Sequence, residues 1–136
     1  MPDDWLVAPE HAAIVWVGGR PTGFAGGDNE RAWKAAVAET LSTTSVATRA
    51  RVGVELDFRL RPQQVEHLAP DLDNLVKSTV DAMTPWIGLR KINGREQADD
   101  ARIDVLVARK RVEVDAAAAG VFIALWSWGQ PSGAAR

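Results

Sequence analysis

Apolar and polar residues follow two different periods along this chain, and each period predicts a different kind of element. In residues 51–60 the apolar side chains fall at every second position, which predicts a strand with one buried face and one solvent-facing face. Trp33, Val37 and Leu41 recur every four residues, which predicts a helix whose apolar stripe faces the core. Residues 69–83 carry a broad apolar face at helical spacing and predict a second helix.

Shorter apolar runs predict the remaining strands, at residues 12–17, 101–112 and 120–128. Residues 84–100 are polar and contain proline and glycine, so we expect a connection that is mobile or faces a ligand. The resulting order is strand, helix, strand, helix, strand, strand. This order predicts one small α+β domain over residues 1–136, with a mixed β-sheet and two main helices. We expect its ends, residues 1–10 and 129–136, to be frayed.

The composition of the chain excludes some classes of site and of protein. The chain has 136 residues and no cysteine, which excludes a disulfide, a thiol nucleophile and a thiolate zinc site. No apolar run approaches the roughly 20 residues needed to cross a bilayer, so we expect a soluble, cytoplasmic protein that does not bind a membrane. The net charge is −2, but residues 49–111 hold twelve basic and ten acidic side chains, so the middle of the chain is locally basic.

The stretch "PDLDNLVKSTVDAM", residues 70–83, concentrates charge at the start of the second predicted helix. Asp71 follows a proline and suits the N-cap position, while Asp73, Lys77 and Asp81 lie four residues apart on one polar ridge. One interpretation is an ordinary helix start, with a capping acid, an acid favoured by the helix dipole and an i+4 ion pair. The alternative is a divalent cation held between Asp71 and Asp73, which would remove the repulsion between them.

A second acidic pair stands at the beginning of a predicted strand. Asp99 and Asp100 in "ADDARIDV" are either solvated acids at the end of a loop or distant ligands for the same cation. Carboxylate oxygens favour Mg²⁺, with Mn²⁺ as a substitute.

Together these two stretches resemble the RusA family of Holliday junction resolvases, which are small crossover junction endodeoxyribonucleases. The shared frame is Asp-x-Asp-Asn-Leu followed by a lysine and Asp-Ala, then an Asp-Asp pair that opens a strand, and it covers about a third of the chain. The resemblance implies a homodimer with two metal-dependent active sites, which nick opposing strands of a four-way DNA junction in recombination and repair.

The resemblance also implies roles for individual residues. Asp71, Asp73 and Asp100 would bind the metal, and Lys77 would be the essential lysine. Asn74, Asp81 and Asp99 would support them, Asn74 by orienting a ligand and Asp81 by holding Lys77 from one turn below. The connection from Asp81 to Asp100 is several residues longer than is usual in the family, which leaves the role of residues 84–98 and the choice between Asp99 and Asp100 open.

Basic residues on the predicted strands are candidates for contacts with the DNA backbone. They are Arg51, Arg59, Arg61, Arg109, Lys110 and Arg111. A polar strand face is more often merely solvated. Trp126 and Trp128 could stack on bases, although such tryptophans more often fill a core or a dimer interface.

Two other functions stay open at this point. One is a non-catalytic module that binds nucleic acid or a partner and keeps the same fold. The other is a nuclease with a different branched or duplex target.

Overall fold

The computed structural model describes residues 13–23, 27–44, 51–62, 70–115 and 118–128. The ends that we expect to be frayed lie outside the described residues. The elements, in chain order, are β1 (Ala13–Gly18), α1 (Asp28–Ser42), β2 (Val52–Leu60), α2 (Leu72–Asp81), α3 (Thr84–Ile87), β3 (Leu89–Ile92), β4 (Arg95–Ala98), a 3₁₀ turn (Asp100–Arg102), β5 (Ile103–Val112) and β6 (Gly120–Ser127).

Within the described residues, four strands form a mixed sheet in the order β1-β6-β2-β5. The pairs β1/β6 and β6/β2 are antiparallel, and the pair β2/β5 is parallel. A parallel pair needs a long crossover connection, and α2 lies in the connection between β2 and β5. The predicted α+β class with a mixed sheet is confirmed.

The main core lies between the helices and one face of this sheet. Trp33, Val37 and Leu41 are buried there, as their four-residue spacing predicts. The indole Nε1 of Trp33 donates a hydrogen bond of 3.1 Å to Oγ1 of Thr79, a buried residue of α2. This bond fixes the two helices against each other, because a buried indole N–H without a partner would be destabilising.

The prediction of a solvent-facing side on β2 is wrong. Glu55 and Asp57 on that side are both 0% exposed. β2 is an internal strand, and Asp57 lies in register between Arg109 of β5 and Phe122 of β6, whose side chains share its face of the sheet. The alternation of apolar and polar residues in β2 therefore distinguishes an apolar face from a charged face correctly. Both faces are buried, however.

Residues 84–100, predicted as a polar connection that is mobile or faces a ligand, contain regular elements that the sequence pattern did not predict. The segment begins with α3, which is held by Trp86, whose indole N–H donates to the carbonyls of Leu41 and Thr44 at 3.0 Å. It continues as an antiparallel hairpin of β3 and β4. Asn93 and Gly94 form its two-residue turn with φ of 53° and 79°, the type I′ pattern that matches strand twist.

The loop after β1 packs directly on the start of α2. Oγ of Ser78 donates a 2.6 Å hydrogen bond to the carbonyl of Thr22. A Cβ atom on Gly23 would lie 2.4 Å from the backbone oxygen of Asn74, so only glycine allows this approach. The position of α2, which carries most of the candidate site, is therefore fixed from two sides, by this loop and by α1.

None of the helices in the described part of the chain has the length and apolar character needed to span a membrane.

Candidate active site

An open groove runs between α2, the 3₁₀ turn and β5, with a volume of about 740 Å³. We call it the acidic groove. Its lining residues are Leu72, Asp73, Val76, Lys77, Val80, Asp81, Asp100, Ile103, Leu106 and Ala108. The apolar members come from facing sides of α2 and β5, and Leu106 remains 47% exposed. The groove therefore combines an apolar lining with charged residues from two distant parts of the sequence.

The polar ridge predicted on α2 forms one wall of this groove. Asp73, Lys77 and Asp81 all line it. Nζ of Lys77 lies 3.9 Å from Oδ2 of Asp81, while the Lys77 side chain is 75% exposed. Lys77 thus forms an ion pair with the acid one turn below, and the support role of Asp81 stays a prediction. An exposed ion pair at this distance holds the ammonium only weakly, so Lys77 is able to turn towards a bound anion.

Asp100 reaches the groove from the 3₁₀ turn, almost twenty residues after Asp81 in sequence. Its Oδ1 accepts a hydrogen bond of 2.9 Å from Nη2 of Arg90, a residue of β3. The neighbouring Asp99 is half-buried, and its backbone N–H donates to the carbonyl of Gly88. Of the two acids, Asp100 is the one that lines the acidic groove.

Asp71 and Asn74 occupy different surroundings. Asp71 is exposed at the N-cap of α2, as its position after Pro70 predicts, but its side chain makes no capping hydrogen bond. It is not among the residues that line the groove. Asn74 lines a smaller cleft of about 150 Å³ between α1 and α2, which shares Lys77 and Asp81 with the groove. The ridge of Lys77 and Asp81 thus separates two neighbouring depressions.

The buried Asp57 gathers three of the arginines that the sequence suggested for DNA contacts. Its Oδ2 accepts hydrogen bonds from the Nη2 atoms of Arg59, Arg109 and Arg111 at 3.0, 3.2 and 3.1 Å. The hydrogen bond that Arg59 donates to Asp57 raises the pKa of Arg59 above its usual value, and Glu113 adds to this effect. These guanidinium groups stabilise a buried carboxylate, and their predicted contact with DNA stays a prediction.

The other predicted DNA contacts are also engaged within the protein. Arg51 donates to Asp104 at 2.9 and 2.6 Å and to the carbonyl of Ala101. This pairing raises the pKa of Arg51 and lowers that of Asp104. Nζ of Lys110 donates at 3.0 Å to the carbonyl of Pro70, which steadies the entry to α2, and Arg61 is half-buried after β2.

The carboxylates of the groove provide oxygen ligands, which hard cations such as Mg²⁺ prefer. No cluster of three or more His, Cys, Asp or Glu able to hold a metal occurs within the described part of the chain. A preformed three-acid cage is therefore not present there. The arrangement matches the other mode of Mg²⁺ binding, in which one or two carboxylates act together with water and a substrate phosphate. Asp73 and Asp100 are the groove residues that fit this mode.

Comparisons with known proteins do not extend the resemblance. A scan against protein-family models and a search of curated proteins both found no match for this chain. The assignment to the RusA family therefore depends on the residues of "PDLDNLVKSTVDAM" and "DDARI" alone and remains a hypothesis.

Two features of the site were missed in the sequence. Arg90, which donates a hydrogen bond to Asp100, lies in the segment predicted only as a polar connection. The signal for its hairpin was present, because Asn93-Gly94 is the strongest short-range sign of a two-residue β-turn. The apolar lining from Leu106 and Ala108 carried no such signal, since β5 alternates like any half-exposed strand.

Proposed function

We propose that this protein is a Mg²⁺-dependent, structure-selective DNA endonuclease that resolves four-way junctions, as the resemblance to the RusA family suggests. The observation that supports this most is the convergence of Asp73, Lys77, Asp81 and Asp100 on one open groove. These residues come from α2 and from the 3₁₀ turn, and their types are those that phosphodiester hydrolysis requires.

The residues divide the chemistry between them. Asp73 and Asp100, which both line the groove, would hold the metal ion. When bound, Mg²⁺ supplies a Lewis acid and a template for water and phosphate oxygens. Lys77 would neutralise negative charge that develops on the scissile phosphate. Its weak 3.9 Å contact with Asp81 would keep the ammonium beside the groove until a phosphate draws it away.

The net negative charge of the groove would repel a DNA phosphate, so binding of DNA there would need a cation. Three carboxylates and one ammonium line the groove, so a DNA strand meets net negative charge. A divalent cation reverses this repulsion locally and lets a phosphate enter. The chain's overall charge of −2 gives no compensating attraction.

A homodimer completes the proposal, because paired nicks in opposing strands need two active sites. The absence of cysteine suits action on DNA in a reducing cytoplasm.

The test is cleavage of a synthetic four-way junction with Mg²⁺ by the native chain and by Asp73→Asn. We expect the substitution to lower the cleavage rate by at least about 100-fold, since it removes a metal ligand. The matched control is Asp28→Asn, which changes an acid in the first turn of α1, away from the groove, and should leave the rate unchanged. Equal activity of native protein and Asp73→Asn would refute the site. Flaps, forks and linear duplex assayed in parallel establish whether the junction is the preferred target.

A second candidate is a binding module without catalytic activity. The apolar lining of the groove and the absence of a three-acid cluster among the described residues favour it. Junction binding without cleavage in Mg²⁺, Mn²⁺ and Ca²⁺ would support this alternative and contradict the endonuclease.

A further inference from the structure

The hairpin of β3 and β4 stands apart from the main sheet as a two-stranded sheet of its own. Most of its strand residues are exposed; Arg90 is half-buried, and Ala98 at its base is buried. The core therefore does not explain the hairpin's length or its charge. Between its ends lie three basic side chains, Arg90, Lys91 and Arg95, and one acid, Glu96.

The register of the hairpin sorts these charges onto two faces. Side chains of directly paired residues share a face, and successive pairs alternate. Arg90 pairs with Gln97 and Ile92 pairs with Arg95, so one face carries two cations and no acid. We call this the Arg90 face. The other face carries Leu89 with Ala98 and Lys91 with Glu96, whose charges cancel.

The Arg90 face is connected to the acidic groove. Nη2 of Arg90 lies 2.9 Å from Oδ1 of Asp100, which lines the groove. Arg95 belongs to the same face and lies two residues further along the hairpin, roughly 7 Å from the level of Arg90 at the rise of a β-strand. A chain of negative charge that leaves the groove past Asp100 therefore meets Arg90 and then Arg95.

We propose that the hairpin is a nucleic-acid contact element, and that its Arg90 face binds the phosphate backbone of the DNA strand that enters or leaves the acidic groove. This inference rests on the proposed function, because it takes the occupant of the groove to be DNA. Charge complementarity and continuity with the groove identify the partner as a polyanion. Arg90 also affects the acidic groove directly, because its hydrogen bond to Asp100 neutralises that carboxylate. A phosphate that binds Arg90, or a metal ion that binds Asp100, would have to displace this bond.

The test compares two charge reversals on opposite faces of the hairpin, Arg95→Glu and Lys91→Glu. Both residues are exposed and both changes alter the net charge equally; Lys91→Glu also faces Glu96 across the hairpin, and the unfolding measurement controls for that repulsion. Binding of a fluorescently labelled four-way junction is measured by anisotropy over a range of NaCl concentrations, with Ca²⁺ in place of Mg²⁺ and the DNA checked for intactness. Urea unfolding of each variant confirms that it folds as stably as the native protein.

We expect Arg95→Glu to weaken binding by at least about tenfold and to reduce the slope of log affinity against log salt by roughly 0.9 for each phosphate that the variant no longer neutralises. Lys91→Glu should weaken binding less than about threefold, because Lys91 lies on the hairpin face opposite to Arg90, whose guanidinium reaches Asp100 of the groove. Equal losses in the two variants would overturn the inference and, if the native protein still cleaves junctions, leave the proposed function intact. A selective loss in Arg95→Glu with no cleavage by native protein would support the hairpin and refute the nuclease. A native protein that binds no DNA would refute both.

Discussion

Replacement of Asp57 by asparagine tests how the hidden face of β2 is stabilised. The carboxylate is 0% exposed and accepts hydrogen bonds from three guanidinium groups within 3.2 Å. Asparagine keeps the size of the side chain but removes the charge and turns one acceptor into a donor that faces other donors. Three positively charged groups would then remain close together on one face of the sheet without their common anion.

The expected loss of stability in Asp57→Asn depends on how deeply Asp57 and its three arginine partners are buried. Breaking a buried ion pair costs about 3–5 kcal/mol. The side chains of Arg59, Arg109 and Arg111 are 16%, 19% and 37% exposed, so they regain some hydration and the lower end of that range applies. We expect Asp57→Asn to lower the free energy of unfolding by about 3 kcal/mol. For a domain of this size this corresponds to a fall in Tm of roughly 10 °C.

Urea unfolding followed by tryptophan fluorescence measures this change, with an unchanged m-value showing that the unfolded state is comparable. The control is Asp104→Asn, which removes an exposed carboxylate paired with the single arginine Arg51 and should shift the midpoint much less. A loss below about 1 kcal/mol for Asp57→Asn, the range of surface ion pairs, would refute the view that this buried carboxylate organises the sheet face.

Two further predictions concern the supports of α2 and β5. Gly23→Ala should lower stability by about 1–3 kcal/mol and shift α2, because the added Cβ overlaps the backbone of Asn74; unchanged urea unfolding and cleavage would contradict this. For Asp104, pairing with Arg51 lowers the pKa in the folded state, so its contribution is present at neutral pH and is lost as the pH falls through that lowered pKa. The difference in Tm between native protein and Asp104→Asn should therefore shrink below a pH of about 4, and a difference that stays constant from pH 7 to 3 would rule out the pairing.

The helices and strands that are determined by the spacing of apolar residues alone could be predicted from the sequence. Trp33, Val37 and Leu41 form the buried stripe of α1 because a four-residue spacing has one geometric solution against a sheet. β2 was predictable as a strand, but the burial of Asp57 was not. It depends on Arg109 and Arg111, which lie more than fifty residues away and reach it only through the parallel pairing with β5.

The candidate site was also predictable only in part. The ridge of Asp73, Lys77 and Asp81 follows from helical period. Asp99 and Asp100 were candidates as a distant acidic pair, and the choice of Asp100 came from the family resemblance and not from spacing. The bond from Arg90 to Asp100 required the hairpin to be recognised, and the polarity of residues 84–100 concealed it. Local pattern therefore predicted the parts of the site that lie on one helix, and tertiary pairing determined the rest.

On the proposed function, carboxylates from α2 and from the 3₁₀ turn share one divalent cation. Anomalous X-ray scattering from crystals soaked in Mn²⁺ is a direct test of this shared site. We expect a manganese peak in the acidic groove, within coordination distance of both Asp73 and Asp100, and its loss in Asp73→Asn. A native crystal with no manganese in the groove, or with manganese bound away from these two carboxylates, would contradict it.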